Sequence, residues 1–338
     1  MVQADFYKRI FEYPPTNVAG LVFIDPDQIE NNAKSREIAA WELLLGSMQL
    51  RRAGERSPAI DWLNHATHLS VENDIFKAEL LGEAGQGLYE SDRLQEAYKI
   101  LNSAEAIWRD VCEQAVNACK GSENDAADVF ASHLLPMFAA AKAKPLGSKA
   151  TVQSGAQAVP MVRQWLSERA VLGRAQTTDT FVRLLAKSGQ IEAARRVLNE
   201  EIEWIARNFT SPAKPVPVHT LNQRQMSPTT RKALYLLFLA EGEVELSAGE
   251  FEKSVDGFAA AAAVYENKVE DASDINRLLR AKFNQANSLL RLKRIDEALE
   301  IYELCEHGFN SINEIDSAQR VAHAKLFAQT MTVDDDDS

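Results

Sequence analysis

Asp61, His65 and His68 stand at i, i+4 and i+7, a spacing that puts three potential metal ligands on one face of a helix. The residues between them argue for a plainer role. Ala59, Leu63 and Ala66 carry the buried stripe of the same helix, so the Asp and the two His turn outward, where no second wall completes and dehydrates a site. The reading is a solvated polar face that holds neither metal nor cofactor. His133, His219, His307 and His323 have no ligand spacing among them. No glycine-rich phosphate loop, strand-turn-helix nucleophile motif or Cys-x-x-Cys pair occurs, so an enzyme would have to assemble its site from distant residues. The expectation is a protein that makes and breaks no bonds.

A second set of residues offers recognition chemistry. Arg280, Asn284, Asn287 and Arg291 fall at i, i+4, i+7 and i+11, one stripe along a helix. From Arg277 to Arg294 there are six basic residues (Arg277, Arg280, Lys282, Arg291, Lys293, Arg294) and no acidic one, in a chain of net charge −12. Arginine suits a carboxylate, and an asparagine amide offers both a donor and an acceptor to the backbone of an extended peptide. The implied partner is an acidic or carboxylate-bearing segment of a protein or peptide. The alternative is internal: the same cations could neutralise Glu241, Glu243 and Glu245 on the preceding first helix of a pair. Both readings stay open at the level of sequence.

Stepping outward to the whole chain, 338 residues with 46% apolar and 25% charged residues have the proportions of a soluble globular protein long enough to split into two domains. The net negative charge repels phosphate backbones and anionic lipid, so nucleic acid is not expected. The longest apolar runs, Ala233 to Ala240 and Phe258 to Tyr265, are eight residues each, against roughly 20 for a membrane-spanning helix. The N-terminal stretch carries Asp5, Lys8, Arg9 and Glu12 among its apolar residues, unlike a signal peptide. Three cysteines make no disulfide framework, and Cys112 and Cys119 are about 10 Å apart on a helix. A cytoplasmic, reducing location fits these features.

The elements that position the stripes are helices throughout. Apolar residues recur at i, i+3, i+4 and i+7 from Lys34 to Met331, with almost no strand-like alternation. Ser57-Pro58 and Ser227-Pro228 read as a capping hydroxyl followed by proline at the first helical position. Breaks at Gly54, Ser91-Asp92, Gly189, Gly249 and Lys293-Arg294 divide antiparallel helix pairs. About one turn into each second helix comes a small residue (Ala59, Ala97, Ala194, Ser254, Ala298), and four residues on a large one (Leu63, Leu101, Leu198, Phe258, Tyr302). Ser47, Gly85, Gly242 and Ala286 supply the matching small position in the first helices.

This pattern resembles the tetratricopeptide repeat over Ala40 to Leu69, Ala78 to Ile107, Phe238 to Val264 and Ala281 to Glu306, and more weakly over Thr177 to Trp204. The resemblance implies an all-α solenoid of five or six helix pairs whose first helices line a concave, peptide-binding surface, and it places Arg280, Asn284, Asn287 and Arg291 on that surface. Departures are Glu241 and Glu245 at positions normally apolar, Ser254 for the usual Ala, and Val182 where Gly or Ala is expected. Leu239 and Glu243 stand where chaperone-binding members carry clamp residues, so that carboxylate clamp is not expected. Marker residues are 38, 97, 60 and 44 apart, against about 34 in the family. The widest gap leaves room for an additional pair, placed at Asn124 to Lys142 and Ala158 to Leu172.

The resulting organisation is an N-terminal extension (1–35), a helical-repeat region (36–207), a proline-rich loop or hinge (208–228), a second repeat region with a capping helix Asp316 to Met331 (229–331) and a disordered acidic tail (332–338). A further apolar stripe, Trp41, Leu44, Leu45 and Met48, reads either as a pocket or as the seat of the N-terminal segment Phe6 to Ile24, the latter preferred. The expected function is a binding adaptor or regulator. Alternatives are a sensor that flexes at the proline-rich segment on binding a peptide or metabolite, and a structural subunit of a larger assembly.

Overall fold

Among the described residues, the same backbone device closes six interhelical turns. One residue in each turn adopts a left-handed conformation: Gly54, Asp92, Gly189, Gly249, Lys293 and Asn313, with φ from 60 to 85°. The residue after it donates its amide to a carbonyl five positions back, as in Glu55 to Leu50 at 2.8 Å, Glu250 to Glu245 at 2.9 Å and Arg294 to Leu289 at 3.0 Å. This Schellman geometry satisfies carbonyls that a helix end leaves open and turns the chain back on itself within three residues.

The computed structural model describes residues 40, 43–44, 46–51, 53–69, 73–134, 155–209, 226–266 and 269–336, the side chains of 155 and 332–336 aside. Helical residues within 40–51 are followed by α1 (Arg56–His68), α2 (Asp74–Glu90), α3 (Leu94–Lys120), α4 (Glu123–Val129), α5 (Gly155–Trp165), α6 (Val171–Lys187), α7 (Ile191–Phe209), α8 (Pro228–Ser247), α9 (Phe251–Glu266), α10 (Ala272–Arg291), α11 (Ile295–Ser311) and α12 (Ile315–Asp336). Among the described residues there is no strand. The chain divides into two compact units, 1–184 and 185–338. In the first, α1 packs on α2, α2 on α3, and α3 on α4 and α5; in the second, α7 to α12 pack each on the next. The fold class is all-α, built in each unit of tetratricopeptide-like antiparallel helix pairs packed in sequence order, as in a solenoid.

One register runs through the pairs. A small or compact residue of the first helix is followed twelve residues on by another and sixteen on by a large apolar one: Ser47, Ala59 and Leu63; Gly85, Ala97 and Leu101; Val182, Ala194 and Leu198; Gly242, Ser254 and Phe258; Ala286, Ala298 and Tyr302. All of them are buried. The reason is close approach: a Cβ on Gly242 would lie 2.6 Å from the Phe258 ring, and one on Gly257 would lie 2.7 Å from the Gly242 backbone nitrogen. Each large side chain that closes a pair contributes roughly 1.5–3 kcal/mol by leaving water. The polar departures are satisfied. The Ser254 hydroxyl donates to Gly242 O at 2.9 Å and lies 2.9 Å from the Ser288 hydroxyl, and Glu245, buried on α8, accepts from Arg195 Nε of α7 at 2.8 Å.

Several expectations need correction. Ser57 does not cap α1: that helix begins at Arg56 after Glu55, with no side-chain cap, because the Gly54 turn already hands Arg56 its amide partner. Ser227 does cap α8, accepting from Thr230 N at 3.0 Å. The helix expected over Ala158 to Leu172 does not stop there. α5 continues through a π-helical turn, Leu166–Ala170, into α6, and Gly173 marks where Trp108 of α3 approaches, not a break. α4 likewise continues through a π turn, Phe130–Leu134; the expected stretch beyond 134 lies outside the described residues. The chain's two compact units divide at 184/185, and the helices on either side of residues 208–228, α7 and α8, pack on each other within the second unit. The segment expected as a proline-rich loop or hinge falls largely on residues 210–225, which, like 1–39, lie outside the described residues. Lastly, α12 runs to Asp336 and takes in most of the segment expected as a disordered tail, for no glycine or proline interrupts it from Ile315 onward.

Candidate functional site

The stripe on α10 is built from its cap upward. Asp271 accepts from Asp274 N at 2.9 Å and starts the helix, and Leu279, Ala281, Ala286 and Leu289 bury its inner side. Arg280 and Arg291 are exposed; Asn284 and Asn287 are half-buried between them. Asn287 Oδ1 accepts a 2.7 Å hydrogen bond from the hydroxyl of Tyr302 on α11, whose phenol burial pushes up to about 12. Asn284 contributes its carbonyl to Ser288 Oγ at 3.2 Å. Among the described residues, no hydrogen bond or ion pair engages the side chains of Arg280, Asn284 or Arg291.

Among the described residues, three of the other four cations of the run are paired, but not as expected, and the fourth, Lys293, is exposed in the turn after α10. Arg277 binds Asp274 at 2.7 Å and lies over the Tyr265 ring at 5.7 Å, Lys282 binds Glu266 at 2.7 Å, and Arg294 binds Glu297 at 2.7 Å and Glu252 at 3.3 Å. Glu245 is held by Arg195. Internal neutralisation thus explains Arg277, Lys282 and Arg294 and leaves the two stripe arginines and Lys293 untouched. Nearby on α8, burial and then repulsion from Arg277 lower the pKa of Lys232.

The register identifies the counterpart of this stripe in the first unit. Measured from Gly85 as from Ala286, the positions of Arg280, Asn284, Asn287 and Arg291 are occupied on α2 by Glu79, Glu83, Gln86 and Glu90. There the charges are met from within: Glu79 pairs with Arg169 at 2.8 Å, and Arg51 spans Glu83 at 2.9 Å and Glu90 at 2.6 Å. Glu83 nevertheless has its pKa raised, because desolvation outweighs the Arg51 charge. The inference from sequence missed this stripe, although subtracting the spacing between the two small residues locates it. The same register positions are closed by ion pairs in one unit and open in the other.

The remaining candidates carry less. Asp61, His65 and His68 are all exposed on α1, with His68 Nδ1 2.6 Å from Asn64 O, and the described residues hold no group of three metal-ligating side chains. Of the apolar stripe, Leu44 is buried and Met48 packs against the core cluster to which Leu44 belongs; Trp41 and Leu45 lie outside the described residues. Cys112 and Cys305 are buried free thiols, and burial pushes that of Cys305 up to about 12. No described helix is long and apolar enough to cross a membrane.

No family model matches the chain, and no curated protein does. Among solved structures it is similar to a Rap protein complexed with competence and sporulation factor, at 12% identity and TM-score 0.40, over 88% of this chain and 76% of that one. It is similar also to the TPR2AB domain of yeast Sti1 in complex with an HSP90 peptide, at 14% identity and TM-score 0.27, over 86% and 98%. A third is Acl4, the assembly chaperone of RpL4, at 13% identity and TM-score 0.29, over 93% and 98%. The fold class stands on the register of the helix pairs and not on these likenesses.

Proposed function

We propose that this protein is a non-catalytic binding adaptor or regulator that holds an acidic segment of a partner protein or peptide on the α10 face, with Arg280 and Arg291 as anion anchors and Asn284 and Asn287 as amide contacts. The observation that carries this reading is the contrast between units: at equivalent positions Glu79, Glu83 and Glu90 are matched by Arg51 and Arg169, while Arg280 and Arg291 meet no acid among the described residues. Two exposed arginines on one face, without internal partners, attract a ligand that supplies the carboxylates. The partner is not nucleic acid, given the chain's charge of −12. Free thiols in the buried interior suit a reducing, cytoplasmic setting.

The test is titration of a fluorescein-labelled hexaglutamate peptide. The double variant Arg280→Glu with Arg291→Glu is expected to lose binding at least tenfold while its melting temperature stays near that of wild type, since exposed charges shift stability by only about ±0.5 kcal/mol. Binding is also expected to weaken as salt rises, because charges on the surface are screened over about 8 Å at physiological ionic strength. Equal affinities of wild type and variant would remove α10 from the binding surface.

A further inference from the structure

We infer that the ligand lies extended along α10 and presents two carboxylates four to six residues apart, one to Arg280 and one to Arg291. This rests on the reading of α10 as the acidic-segment site and adds a conformation and a spacing to it. Eleven residues of α-helix separate the two arginines along the axis by about 16 Å and return to nearly the same azimuth. An extended chain advances about 3.3 Å per residue and repeats its side-chain direction every second residue, so carboxylates at i and i+4 or i+6 are about 13 or 20 Å apart. The flexible stems of two arginines close the remaining difference of a few ångströms.

The residues between the anchors select the extended form over a helical one. Asn284 has a side-chain amide that no described residue engages. Asn287 has its Oδ1 taken by Tyr302, which fixes the orientation of the amide and leaves Nδ2 as the available donor. A helical ligand keeps its carbonyls in its own i to i+4 ladder, whereas an extended one offers them outward, where an amide can meet them. Charge alone would require neither amide, and a helical ligand would use only the arginines.

Acetylated, amidated and labelled Ser/Ala peptides carrying two glutamates separated by 2, 4, 6 or 10 positions separate these ideas by fluorescence anisotropy at low salt, beside a one-glutamate control. Separations of 4 and 6 are expected to bind at least tenfold tighter than 2, 10 and the control, and Asn284→Ala is expected to weaken the matched peptides about fivefold without moving the melting temperature. If all two-glutamate peptides bind alike and lose affinity in the Arg280→Glu, Arg291→Glu variant, the spacing is wrong and the acidic-segment reading stands. A helical, alanine-rich peptide with glutamates at i and i+11 that outbinds the matched extended ones would overturn the conformation. If no peptide binds at low salt, both the inference and the reading beneath it fall.

Discussion

The hydroxyl of Tyr302 donates to Asn287 Oδ1 at 2.7 Å, so a residue of the surface stripe on α10 is the hydrogen-bond partner of a fully buried phenol on α11. Recognition surface and core are thus joined at one bond. Removing the acceptor leaves a buried O–H without a partner, and the cost is that of its desolvation, about 1–3 kcal/mol. Asn287→Ala is expected to destabilise by that amount in urea, and Tyr302→Phe by about 1 kcal/mol. An Asn287→Ala protein that unfolds within 0.5 kcal/mol of wild type, a margin typical of surface positions, would sever this link.

Gly257 of α9 lies against the backbone of α8, where a Cβ would come 2.7 Å from Gly242 N. Backbone cannot step aside as the end of a side chain can. Gly257→Ala is therefore expected to cost about 2–3 kcal/mol even though alanine is the better helix former, and Ala298→Leu, at the equivalent crossing of α10 and α11, about 1–3 kcal/mol. Thermal melts of both that coincide with wild type would show that the helices do not cross at these residues.

The left-handed turn residues divide into glycines and others. At Gly249 nothing lies within 4 Å of an added Cβ, so Gly249→Ala tests conformation alone and is expected to lose about 1 kcal/mol. Lys293, with φ of 60°, holds the same turn between α10 and α11. Lys293→Gly relieves its strain against a smaller entropic loss and is expected to gain up to about 1 kcal/mol. A loss in chemical denaturation for Lys293→Gly would refute the turn geometry.

Glu83 titrates upward from its ordinary 4.5 because burial outweighs the pull of Arg51. A carboxyl with a folded-state pKa above its unfolded one binds its proton more tightly when folded. Its contribution is fully present below pH 4.5 and lost as pH rises through the folded value. The stability of wild type relative to Glu83→Gln is therefore expected to fall as pH climbs from the acid range toward neutrality. A difference that is flat or rises across that range contradicts desolvation as the dominant influence on the Glu83 carboxyl.

The periodicity of apolar residues and the small-to-large spacing around Ala59, Ala97, Ala194, Ser254 and Ala298 were enough to read an all-α array of helix pairs, since close crossings demand small residues at fixed intervals along each helix. The stripe of Arg280, Asn284, Asn287 and Arg291 was legible for the same reason: position on a helix face is local geometry. Which cations are already satisfied was not. Arg277, Lys282 and Arg294 look like Arg280 and Arg291 in sequence, and their pairing with Asp274, Glu266, Glu297 and Glu252 depends on which helices meet and on side-chain reach across turns. Long-range pairs such as Arg195 with Glu245 and Arg51 with Glu83, 50 and 32 residues apart, exist only once the helices have packed. The division of the chain at 184/185 belongs to the same class, because proline and glycine content reports where a helix stops, while the packing of α7 on α8 decides which helices share a core.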